Sequence, residues 1–199
     1  MIITKKEKEI VIKKTLKKGE TYRISEGKKF TSISFFKKPQ LVKGVASYCE
    51  DGKHVLFIDY DDVPLWLVRQ DYERLQEEFG IPKGYLFTTK EGEFGNFHVI
   101  CLAKFFPKQI YDMISITHAD VNFMSMPLRN KYRNWILRIG VKRRKNRPKF
   151  VSFIGKKIFK GNVSNAHLKL LEKLYPSIKH PSWKTDELNK ISLQEYQAT

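Results

Sequence analysis

The segment His54 to Asp61 constrains this chain more than any other: HVLFIDYD is an apolar run of strand length that ends in carboxylates. Unbroken apolarity, rather than alternation, predicts a central strand buried on both faces, with its polar end opening on a site. A helix is predicted almost at once, starting near Pro64. It places Leu65, Val68, Tyr72, Leu75 and Phe79 at spacings of three and four until Gly80 and Pro82 stop it.

Around this centre the pattern is mixed α and β. Thr21–Ser25 and Thr31–Phe36 read as strands, as do Tyr85–Thr89 and Phe97–Leu102, the latter two joined by the Gly-containing turn KEGEFGN. Pro107–Ile114 reads as a short helix, and Trp135–Gly140 and Phe150–Ile154 as strands flanking the basic loop VKRRKNRPK. Ser164 is suited to cap a helix running to Tyr175, and Asp186–Gln197 is expected to form a shorter one. No repeat or low-complexity linker divides the chain. The expectation is an α+β catalytic domain over residues 1–160 with a C-terminal helical tail over 161–199.

Charge points to a polyanionic partner. Lys and Arg outnumber Asp and Glu by 38 to 21, a net charge of +17 that suits phosphate contacts and counterion release. Its distribution is more informative than its total. No Asp or Glu occurs from Val121 to Leu171, and Arg129, Arg133, Arg138, Lys142, Arg143, Arg144, Lys145, Arg147 and Lys149 crowd that stretch. Glu50 to Glu93 is the reverse, with eleven acidic residues against five basic ones. An acidic centre between basic flanks suits metal-dependent chemistry on nucleic acid.

Cys49 and Cys101 are too few for a four-ligand zinc site and lack the pattern of a disulfide framework, which points to a reducing compartment. The start, MIITKKEKEIVIKK, has no apolar run of signal-peptide or membrane-span length, so a cytoplasmic protein without a membrane partner is expected.

Asp59 and Asp61 stand two apart on the predicted strand, so their side chains leave the same face and are placed to hold a divalent ion. A carboxylate closing an apolar strand is costly to bury without a cation. Asp62 is expected instead to cap the next helix. His98 opens a later apolar strand after Gly95 and Asn96, where a small-residue turn would let a phosphate approach the backbone. Asp120, after a short helix and loop, is the candidate third carboxylate, with Asp112 as its rival.

This ordered set resembles the archaeo-eukaryotic primase superfamily, most closely the primase-polymerase domains of plasmids and viruses. The motifs are FIDYD with Asp59 and Asp61, NFHV with His98, and HAD with Asp120. The resemblance implies an RRM-like mixed sheet performing template-directed nucleotidyl transfer with Mg²⁺ or Mn²⁺. In it Asp59, Asp61 and Asp120 are metal ligands, and His98, with Asn96 beside it, meets the incoming nucleoside triphosphate. It also implies Arg138 and Lys142 near the phosphates or template. Arg129, Arg133, Arg143, Arg144, Lys145 and Arg147 are expected to grip the DNA template, single-stranded or primed.

Two departures stand out: Asn96 occupies a position where the family usually has Ser, Thr or Gly, and the zinc element of many relatives is absent. No G-x-x-x-x-G-K-[ST] loop occurs, so the motor for replication would be a separate helicase. The alternatives are a non-catalytic single-stranded nucleic-acid binder, with Trp135 and Phe150 stacking bases, and a metal-dependent nuclease. The initiator class of nucleases needs paired histidines, and no H-x-H occurs.

Charge reversal at Arg143, Arg144 and Lys145 together is expected to weaken oligonucleotide binding and to flatten the slope of log K against log salt by roughly 2. Binding isotherms across a salt series check this, and an unchanged slope would move the binding face elsewhere.

Overall fold

A computed structural model describes residues 21–26, 29–34, 40–49, 51–129, 133–139, 147–156, 161–185 and 193–198. The chain divides into two compact units, one of residues 1–40 with 197–199 and one of residues 41–196. In the first, β1 (Thr21–Glu26) and β2 (Lys29–Ser34) form an antiparallel pair.

The second unit is mixed α and β. Its four-stranded antiparallel sheet has the order β4-β6-β5-β8, from β4 (His54–Val63), β5 (Gly84–Lys90), β6 (Gly95–Phe105) and β8 (Lys149–Ile154). A second sheet has the order β7-β3-β9, from β3 (Gln40–Ala46), β7 (Ile136–Arg138) and β9 (Leu193–Ala198). Five helices accompany these strands among the described residues: α1 (Leu65–Phe79), α2 (Pro107–Ser115), α3 (Val121–Met124), α4 (Met126–Arg129) and α5 (Asn165–Leu174).

The strand His54–Val63 has the burial that its composition demands but not the expected central place. It lies at the end of its sheet, and β6 and β5 are the inner strands. Helices on both faces explain the unbroken apolarity. On one face α1 packs on β4 and β6, and the Tyr60 hydroxyl approaches Asp71 of that helix. On the other, the Phe57 ring meets His167 of α5 edge-on at 6.0 Å. Phe57 and Tyr60 have opposite parity along the strand and so point to opposite faces. The start of β4 is covered as well, by the antiparallel bridge Tyr48↔His54.

β4 and β5 both run antiparallel to β6, hence parallel to each other, with α1 as the connection between them. Such a crossover needs a helix. Gly80 supplies the stop for α1, taking a left-handed φ of 65° and donating its N–H to the Gln76 carbonyl. Beyond it, the Tyr72 hydroxyl donates to the Pro82 carbonyl at 2.6 Å from a fully buried position. That hydroxyl lies against Gly84, where an added Cβ would stand 2.5 Å from it.

The C-terminal helix of this unit is capped as expected. Ser164 Oγ accepts from the His167 N–H, and His167 Nε2 donates to the Ala46 carbonyl at 2.9 Å, tying α5 to β3. The tail expected from residue 161 onward, packed on or appended to the domain before it, belongs up to Tyr196 to the second unit. The expected helix at Asp186–Gln197 is corrected over its last part: Leu193–Ala198 is a strand on the edge of β3. A strand there satisfies backbone groups that β3 would otherwise leave open. Residues 186–192 lie outside the described residues.

The two cysteines are buried and unbridged. Burial pushes the Cys101 thiol up to about 12, which leaves it without thiolate character at neutral pH. Among the described residues no helix is long and apolar enough to cross a membrane.

Gly84→Ala is expected to destabilise the protein by about 1–3 kcal/mol, because the new methyl meets the buried Tyr72 hydroxyl and the Ile100 carbonyl rather than a flexible chain end. Chemical denaturation checks this, and an unchanged midpoint would contradict it.

Candidate carboxylate and histidine site

Burial along β4 falls away at its far end, where Asp59 is half-buried and Asp61 and Asp62 are exposed. Register with β6 decides what they face. Asp59 pairs directly with His98 across the antiparallel ladder, and directly opposed residues share a face. His98 Nε2 lies 3.2 Å from Asp59 Oδ1, yet the alignment does not make a hydrogen bond. Asp59 Oδ1 and His98 Nδ1 are therefore both buried without a hydrogen-bond partner. Leaving a buried acceptor unsatisfied costs about 1–3 kcal/mol, and more for a charged one. Ordered water or an ion satisfies such atoms in many folds, and the Tyr60 and Tyr111 hydroxyls, Trp135 Nε1 and His180 Nε2 are buried in the same condition.

Two residues further along, Asn96 Nδ2 donates to Asp61 Oδ1. Asn96 and His98 share one face of β6, so the Asp59–His98 rung and the Asn96–Asp61 side-chain contact lie side by side across β4 and β6. The ladder is irregular between Tyr60 and Val63, and Asp62 sits at this irregularity with a left-handed φ of 59°. This overturns the expected capping role of Asp62. The N-cap of α1 is Pro64, with no side-chain hydrogen bond, and Asp62 reaches Lys90 at 2.5 Å instead. The extra chain length turns its carboxylate away from the helix start.

Asp120 comes to the same strand by its backbone. Its N–H donates to the Asp59 carbonyl at 2.8 Å. Its carboxylate caps α3, with Oδ1 accepting from the Asn122 N–H and side-chain amide and Oδ2 from the Phe123 N–H. Two carboxylate oxygens offer about four lone-pair sites, so capping takes most but not all of its acceptor capacity. The rival, Asp112, lies on α2 and pairs with Lys108 at 2.9 Å.

The loop that delivers Asp120 is anchored from below by Asp71, a residue that sequence reasoning passed over. Its buried carboxylate accepts from the His118 N–H at 2.8 Å and meets His118 Nδ1 at 3.0 Å. The signal was present: Asp71 falls in the buried stripe of α1 with Val68, Tyr72 and Leu75, a position where an unpartnered carboxylate is not tolerated.

Gly95 is glycine for a different reason from the one expected. An added Cβ would lie 2.6 Å from the Phe97 ring and 2.8 Å from the Lys90 carbonyl, so close packing of the turn, not an open approach, fills this space.

Arg138 on β7 is buried, at 8% exposure, and acts on Tyr175. Burial pushes the Tyr175 hydroxyl up to about 12, against the opposing charges of Arg147 and Arg138. Tyr175 in turn touches Phe87, ring centroids 4.8 Å apart, and Phe87 is the cross-strand partner of His98. Arg129 and Arg133 are exposed, Arg129 donating to the Asn122 carbonyl. Arg147 is also exposed. Lys142, Arg143, Arg144 and Lys145 lie outside the described residues.

Among the described residues no three His, Cys, Asp or Glu side chains converge as a ready metal cage. The donors that fit a divalent cation are Asp59, whose Oδ1 is buried without a donor, and Asp61 two residues further along β4. Both offer the hard oxygen atoms that Mg²⁺ and Mn²⁺ take. No protein-family model, curated protein or solved structure matches this chain.

Mn²⁺ at about 100 times its dissociation constant is expected to stabilise the protein by about 2.7 kcal/mol. The Asp59→Asn, Asp61→Asn double variant should lose that gain. Thermal unfolding with and without the metal checks this, and an equal shift in both proteins would remove these residues from the binding set.

Proposed function

We propose that this chain is a template-directed nucleotidyltransferase of the primase-polymerase kind. The observation that carries the reading is the rung in which Asp59 faces His98 with both orphaned atoms buried. The polar groups of that rung match the chemistry of a triphosphate and its cation: a carboxylate oxygen for the metal and an imidazole for a phosphate oxygen.

The topology supports the same reading. The run β4-α1-β5-β6-α2, with β6 between β4 and β5, is a split βαβ arrangement shared by RRM-like and ferredoxin-like sheets. The carboxylates stand at the end of the first strand of that unit, and the histidine on the strand beside it.

Asp59 and Asp61 would hold the metal, with the remaining acceptor capacity of Asp120 close by. Bound Mg²⁺ or Mn²⁺ supplies charge neutralisation on the triphosphate and lowers the pKa of an attacking hydroxyl. The chain's own residues position the reactants. Asn96 fixes the Asp61 rotamer through its amide. His98 would meet a phosphate oxygen once its Nδ1, buried in this structure, is uncovered, in the tautomer or charge state that carries a proton there. Arg138 adds a permanent positive charge near Tyr175, on the side of the sheet that His98 faces. Positioning and preorganised charge account for most of the rate in phosphoryl transfer.

A second reading is a non-catalytic single-stranded nucleic-acid binder, favoured by the commitment of the Asp120 carboxylate to capping α3. Of the two rings expected to stack bases, Phe150 is partly exposed and Trp135 is not. Trp135 is 1% exposed and packs against His54 and Tyr111, so it cannot stack a base.

Extension of a labelled primer-template with Mg²⁺ or Mn²⁺ separates these readings. The wild-type protein is expected to lengthen the primer, and the Asp59→Asn, Asp61→Asn variant to lose more than about 100-fold of that rate while keeping oligonucleotide affinity. Tight binding without products favours the binder, shortened substrate a nuclease, and full activity in a folded double variant removes the carboxylates from catalysis.

A further inference from the structure

The row of side chains that begins at Asp59 does not stop at His98. Register carries it across the whole sheet: Asp59 opposes His98, His98 opposes Phe87, and Phe87 opposes Phe150. Opposed residues share a face, and three strand spacings separate Asp59 on β4 from Phe150 on β8, a span of about 14 Å. At its far end the row opens into a cavity of about 690 Å³ between β8 and the end of α5, a size typical of small-ligand sites.

The lining has two kinds of chemistry. Phe150, Phe153 and Tyr175 give aromatic surface, with Phe150 and Phe153 centroids 5.2 Å apart at 66°. Arg147, Lys149 and Lys179 give positive charge, and among the described residues no carboxylate lines the cavity. Among the described residues the acid paired with these cations is Glu91, 3.4 Å from Lys149, and both partners are largely exposed. A pair so exposed contributes little and yields easily to another anion. Arg147 donates to the Leu174 carbonyl at 3.5 Å. The tyrosine hydroxyl is turned to the wall, donating to the Pro148 carbonyl at 2.9 Å.

We propose that this cavity takes one nucleotide unit of a single-stranded nucleic acid, its base against the Phe150, Phe153 and Tyr175 rings and its phosphate between Arg147, Lys149 and Lys179. Aromatic faces accept any base, and cations at the rim track the backbone, so the site reads a strand without reading its sequence. A free nucleoside monophosphate has the same chemistry, and the test separates the two sources.

The site rests on its own geometry and requires no divalent ion, so the test is run in EDTA, where the outcome is independent of the fate of the carboxylate reading. Fluorescent oligo-dT and free dTMP are titrated against wild type, Phe150→Leu and the Arg147→Ser, Lys179→Ser variant, each checked for an unchanged unfolding temperature. Oligo-dT is expected to bind about tenfold more weakly to Phe150→Leu, the loss of one base stack. In the double-serine variant its salt slope should fall by about 1.4, two phosphate contacts at roughly 0.7 each. Photocrosslinking of wild type with 5-iodouracil-containing oligonucleotide should label Phe150, Phe153 or Tyr175. Loss of dTMP affinity in the variants, with oligo-dT unaffected, would keep the cavity as a nucleotide site but overturn the strand as its occupant. Unchanged affinities for both ligands, with crosslinks mapped elsewhere, would overturn the proposal.

Discussion

The antiparallel pairing of β4 with β6 governs the rest of this structure. It joins an apolar strand to its inner neighbour, and its register puts Asp59 opposite His98 and brings Asn96 to Asp61. A slip of one residue would turn His98 to the α1 face and bury it among Leu75 and Tyr72. The pairing is held by burial on both sides, α1 on one and α5 on the other, so the helices that stabilise the sheet also enforce the geometry of its polar end. In that geometry Asp59 Oδ1 and His98 Nδ1 are buried without a hydrogen bond, although His98 Nε2 approaches Asp59 Oδ1 at 3.2 Å.

Much of this was legible in the chain. The apolar run His54–Ile58, the three-and-four spacing of α1 and the Ser164 cap are local signals, and each element stands where they indicate. Strand parity in the Asp-x-Asp spacing fixes a shared face for Asp59 and Asp61, while the pairing of Asp59 with His98 depends on strand order, which parity does not give. What failed depended on neighbours the sequence does not name. Asp62 reads as a cap until the ladder irregularity is seen to turn it towards Lys90. Trp135 reads as a stacking platform until β7 is seen to fold it inside, against His54 and Tyr111. Leu193–Ala198 reads as helical until the open edge of β3 claims it.

The aromatic and basic cavity was hidden for a similar reason. Its walls come from residues 147–153 and 174–179, which share no periodicity and meet only when α5 docks beside β8. Acidic and basic features thus occupy the two ends of one sheet face. The carboxylates lie near β4 and the cations near β8, with a histidine and a phenylalanine between them.

The central claim is that the buried Asp59 oxygen is left without a donor because a cation completes it. Paramagnetic broadening of the histidine ring resonances by substoichiometric Mn²⁺ tests this most directly, since His98 lies against that oxygen and the other described histidines do not. The account predicts selective broadening of the His98 ring signals, abolished by Asp59→Asn. Equal broadening of exposed histidines, or broadening of His98 that survives the substitution, would contradict it.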